Sequence, residues 1–72
     1  MKVISARELG ERIMKVAVEL DCQNSRMARV GKPDWQVDQG LFELMFILEF
    51  VPYWNAAQLW QKACYLNRKY GV

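Results

Sequence analysis

The chain has 72 residues, 53% of them hydrophobic and 25% charged, with a net charge of +2, two cysteines and no histidine. That length allows one domain, residues 1–72, with a thin core, and a charge this balanced does not announce nucleic acid. The missing histidine removes the commonest metal ligand and the usual general base near neutral pH, and Cys22 and Cys64 are too few and too isolated for a disulfide scaffold or a metal site.

Met1-Lys2-Val3-Ile4 is a short apolar lead that runs into polar residues instead of the long apolar segment of a secretion signal. With two reduced thiols, that places the protein in the cytoplasm. Ser5-Ala6-Arg7-Glu8 has the pattern of a capping box, and Ile4 and Leu9 are spaced for the hydrophobic staple that accompanies it. The helix it opens is expected over 5–21. Leu9, Ile13, Val16 and Leu20 form a narrow apolar seam, with Met14 and Val18 beside it as surface residues or the edge of a second contact.

Residues 22–36 read as a connection. Asn24 or Ser25 can cap one short helical turn that stops at Gly31, and Pro33 forbids a continuous helix. Arg26, Arg29 and Lys32 make this stretch basic, a solvated loop or a surface for anions or an acidic partner.

The second helix, over 35–51, is capped by Asp34 or Asp38, weakened in its first turn by Gly40 and ended by Pro52. On a helical wheel, Val37, Leu41, Leu44, Met45, Ile47, Leu48 and Val51 share one broad apolar face. Phe42, Phe46 and Phe50 form a second stripe at i, i+4, i+8 on the other side, among Asp38, Gln39, Glu43 and Glu49. A helix apolar on two sides needs cover on both. The run from Leu41 to Trp54 is too short and too interrupted by Glu43, Glu49 and Pro52 to span a bilayer, so no membrane contact is expected.

Asn55-Ala56-Ala57-Gln58 is a second capping-box pattern and opens a helix over 55–70, with Trp54 placed to staple onto Leu59. Leu59, Ala63, Leu66 and Tyr70 form its seam, Arg68 and Lys69 suit its negative end, and Gly71 is placed to stop it. Trp60 and Cys64 lie beside the seam.

These elements make an all-α, small three-helix domain. The seams of helices one and three cover the aliphatic face of helix two and leave the Phe stripe over, which points to a homodimer through the central helix, with another protein as a further partner. The expected interface is Phe42, Phe46, Phe50, Glu43, Glu49, Trp54 and Trp60, since aromatic residues are enriched in interface cores. No Ser/His/Asp set, phosphate loop or metal spacing is present, and Glu43 and Glu49 do not converge on a helix, so an enzyme is not expected, nor any cofactor or metal. The function read here is a small protein-binding regulator or inhibitor. The alternative is a DNA-binding transcriptional regulator using helix three, with Lys62, Arg68 and Lys69, and the basic residues Arg26, Arg29 and Lys32, as anion or nucleic-acid contacts.

Overall fold

The computed structural model describes residues 3–32 and 35–72 and is a three-helix arrangement of 45 × 20 × 15 Å. Helix α1 spans Ala6–Arg29, α2 Trp35–Phe50 and α3 Ala56–Tyr70, with a single 3-10 turn at Val51–Tyr53. No strand occurs among the described residues. The expected roles of Pro33 and Asp34, and Met1 and Lys2 of the apolar lead, fall outside them.

The start of α1 follows the sequence in part. Ser5 Oγ accepts a hydrogen bond from the Glu8 amide at 3.0 Å. Glu8 does not complete the box: its Oε1 accepts from Arg12 Nη2 at 2.8 Å instead. Ile4 and Leu9 are both buried, as a staple requires.

The end of α1 corrects the expected boundary. The helix does not stop near Asp21; it runs on through Cys22–Ser25 to Arg29. Nothing between Glu11 and Val30 is Gly or Pro, and the weak helix propensities of Asn24 and Ser25 cost only tenths of a kcal/mol, about 0.5 each. The stop itself falls where Gly31 places it. Gly31 has φ 72°, its N–H donates to Ala28 O at 3.1 Å, and the Lys32 N–H donates to Met27 O at 2.9 Å. That pair of bonds is a Schellman motif, which satisfies carbonyls the helix end would otherwise orphan. Arg26 and Arg29 therefore stand on the last turn of a helix and not in a loop.

Helix α2 lies antiparallel to α1. Asn24 Nδ2 donates to Asp38 Oδ1 at 3.0 Å near one end of the pair. Near the other, Gly10 faces Leu48: a methyl group in place of the Gly10 hydrogen would stand 3.6 Å from Leu48 Cδ1. Asp38 is thus a partner for α1 and not a cap, and Gly40 lies in the body of α2 and not in its first turn. The missing Cβ of Gly40 lets Tyr70 close in; a methyl there would stand 3.2 Å from Tyr70 Cε1.

Helix α3 has the full capping box, with the Asn55 amide donating to Gln58 Oε1 at 3.0 Å and the Gln58 amide donating to Asn55 Oδ1 at 2.9 Å. It ends on Gly71, at φ 72°, whose N–H donates to Asn67 O. The core is Leu9, Ile13 and Ala17 of α1, Leu44 and Ile47 of α2, Val51, and Leu59, Ala63 and Leu66 of α3, with Ile4 and Val72 closing one end. Leu9, Ile13, Leu44 and Leu66 are wholly buried. Ala17 takes the buried place that the seam reading gave to Val16, which is half-buried beside it.

Candidate functional site: the aromatic face of the second helix

The core takes one side of α2 and leaves the other in solvent. Val37, Leu44 and Ile47 are buried, while Phe42, Phe46 and Phe50 keep 75%, 55% and 43% of their surface exposed. Leu41 and Leu48 are half-buried against the core, but Met45, read from the wheel as part of the aliphatic face, is 45% exposed. It sits at the edge of that face, where neither flanking helix reaches over it.

The stripe has internal order. The rings of Phe46 and Phe50 meet with centroids 5.0 Å apart and planes tilted by 51°, a geometry aromatic pairs favour. Trp35, about two turns before Phe42 on the same side of the helix, is also exposed, and so is Tyr53 in the 3-10 turn beyond. An aromatic surface therefore extends past both ends of the Phe triplet. Exposed apolar patches of this kind mark contact sites on soluble proteins.

Glu43 lines an open groove beside Phe42 and Met45 and is at the same time tied to α3. Tyr70 Oη donates to its Oε1 at 2.7 Å, and Lys69 Nζ lies 3.1 Å from Oε1 and 3.2 Å from Oε2. Tyr65 Oη is at 3.4 Å and accepts in turn from Lys69 Nζ at 3.2 Å. Burial pushes the carboxyl up, but the hydrogen bonds from Tyr70, Lys69 and Tyr65 and the ammonium charge outweigh it and hold Glu43 below its ordinary range. Lys69 is raised by the same bonds, first to Tyr65 and then to Glu43. Tyr70 is raised by burial and by the carboxylate it serves. This cluster ties α2 to α3. The sequence shows Tyr65 and Lys69 one turn apart on α3, the only hint of a cation and a phenol aimed at one acceptor. Glu49, by contrast, is exposed in the last turn of α2.

The remaining expected contacts separate. Trp54 packs half-buried against the core with Lys62 Nζ 5.8 Å from its ring. Trp60 lines a different surface, an open groove between the start of α1 and α3 with Ile4, Arg12, Cys64 and Arg68. Trp60 thus stands apart from the Phe stripe. Nor do the basic residues form one patch. Arg26, Arg29 and Lys32 stand at the far end of α1, Arg68 in the groove, and Lys62 and Lys69 over tyrosine rings of their own helix.

Cys22 is exposed and Cys64 half-buried, both free. Among the described residues no group of three or more Cys, Asp and Glu side chains is placed to hold a metal ion, and no helix is long and apolar enough to cross a membrane. No protein-family model, curated protein or solved structure compared with the chain matches it significantly.

Proposed function

We propose that the protein is a small, non-enzymatic, protein-binding regulator or inhibitor that acts in the cytoplasm through the aromatic face of α2, and that it forms a homodimer through this central helix. One observation carries the reading: three phenylalanines on one helix face stay outside the core while the opposite face of the same helix is buried. Leaving such rings in water forgoes roughly 1.5–3 kcal/mol each on full burial, a large sum against the stability of so short a chain. A protein surface recovers it. The basic end of α1 and the polar side of α3 supply specificity.

The alternative, a DNA-binding regulator using helix three, has less support. Gln58 is spent on the capping box, and Lys62 and Lys69 are held against rings and a carboxylate of the same chain.

Size exclusion with light scattering, together with affinity capture using wild-type and Phe46→Asp baits, tests this. The expected result is a wild-type mass of two chains at micromolar concentration, a monomeric Phe46→Asp variant, and a captured protein lost with the variant. A foreign partner bound equally well by folded Phe46→Asp would refute the assignment of the surface.

A further inference from the structure

We infer that the occupant of the aromatic face is a second copy of the chain, seated antiparallel across α2 about a two-fold axis near Phe46, and that α1 contributes Met14 and Val18 to the contact. This rests on the homodimer reading of the same face and goes beyond it by fixing the direction, the register and a second contributing helix.

The register of the α1–α2 pair brings Met14 and Val18 in. Gly10 faces Leu48 and Asn24 bonds Asp38. Met14 and Val18, one and two turns beyond Gly10, therefore lie level with Met45 and Leu41 on the neighbouring helix. On the wheel of α1 Met14 falls next to Gly10 and Val18 one step further round, away from the side turned to α3. Both are exposed, Met14 at 42% and Val18 at 56%. The apolar surface is thus a two-helix face, with Met14 and Val18 on one edge, Met45 and Phe42 between, and Phe46 and Phe50 beyond.

Area argues for a copy as its occupant. With Trp35, these residues keep 42–75% of their surface exposed, on the order of 700 Å² together for side chains of this size. If the contact covered all of it, the buried area would approach the ~800 Å² each partner gives to a stable interface. A two-fold contact requires a patch that complements itself, and an apolar stripe of Phe and Met bordered by Asp38, Glu43 and Glu49 does so along its apolar centre.

Charge sets the direction. The α1 end beside the start of α2 carries Arg26, Arg29 and Lys32, and the last turn of α2 has no basic residue and carries Glu49. Parallel pairing would stack the two basic ends and align the two helix dipoles. Antiparallel pairing sets each basic end toward the negative dipole end of the partner's α2, where Glu49 stands exposed.

The experiment uses the full chain with Cys22→Ser and Cys64→Ser, and a short bis-maleimide linker on introduced cysteines. Phe42→Cys mixed with Phe50→Cys should link across the pair faster than either links to itself. Val18→Glu, which leaves every aromatic residue in place, should weaken the dimer at least tenfold by light scattering across a dilution series. A wild-type dimer in which Phe42→Cys links to itself, or in which Val18→Glu changes nothing, overturns this inference and leaves the protein-binding reading standing. A wild-type chain that stays monomeric to high micromolar concentration overturns both the inference and the homodimer.

Discussion

Three donors from one helix converge on Glu43, and Gly40 is what lets one of them arrive. Tyr70 crosses α2 where Gly40 has no side chain and reaches Glu43 Oε1. Gly40→Val puts branched atoms where even a methyl would be tight, so Tyr70 must swing off the carboxylate. A loss of about 1–3 kcal/mol is expected in urea unfolding, and Tyr70→Phe in that background should cost nothing more. Glu43 itself makes a pH prediction. Its folded pKa lies below the ordinary 4.5, so the stability it contributes is fully present above that value and is lost as pH falls through the lowered one. The side chain is 33% exposed and its Lys69 partner 48%, so solvent screening trims the contribution to about 1–2 kcal/mol. Glu43→Gln should be less stable than wild type at neutral pH by that order, with the gap closing as pH drops below 4.5. A gap that stayed constant down to acid pH would mean the carboxylate charge contributes nothing.

The helices differ in how openly the sequence declares them. Helix α3 was legible in full, because Asn55, Gln58 and Gly71 each satisfy a backbone group within three or four residues of themselves, and local chemistry of that kind is written in local sequence. The extension of α1 past Asp21 was not. Its last turns are held by Asn24 on Asp38 and by half-buried Met27, and the Asn24 partner lies across the hairpin where no sequence window reaches. The polar run Cys22–Ser25 looks like a break only until tertiary partners are known. The stop at Gly31 was legible, since a glycine there answers the need for φ of 72°. Gly31→Ala keeps open space around the new methyl but forces it into the left-handed region, and should cost about 1–2 kcal/mol. Amide exchange should locate the loss: amides of 25–29 exchange faster in the variant, while those around Ile13 and Ala17 keep their protection. Uniform acceleration across α1 would show that the end is no local unit. At the aromatic face, the wheel separated the Phe stripe from Leu44 and Ile47 correctly, because three-residue and four-residue spacings fix angles. It misplaced Met45 and could not separate Trp60 from the stripe, because those depend on how far the flanking helices reach.

The described residues share one core, and α2 has two apolar sides. The contrast between Leu44 and Phe46, two residues apart, shows how the chain divides them. Leu44 is wholly buried and Phe46 is 55% exposed. Leu44→Ala opens a cavity at the centre of the three helices and should cost about 2–5 kcal/mol at every protein concentration. Phe46→Ala removes a ring that the monomer buries only in part, against Phe50, so at low nanomolar concentration it should cost about 1–2 kcal/mol, less than Leu44→Ala. The rest of what the ring contributes belongs to association. A dimer gains stability by mass action, so the wild-type Tm should climb by several degrees over a hundredfold rise in concentration (about 2.7 kcal/mol is at stake at a hundred times Kd). The Phe46→Ala Tm should stay flat over the same range. Were wild type and variant both flat, the aromatic face would have no copy to meet. Were Phe46→Ala as damaging as Leu44→Ala even when dilute, Phe46 would belong to the core of the monomer, and the two apolar sides of α2 would have been divided in the wrong place.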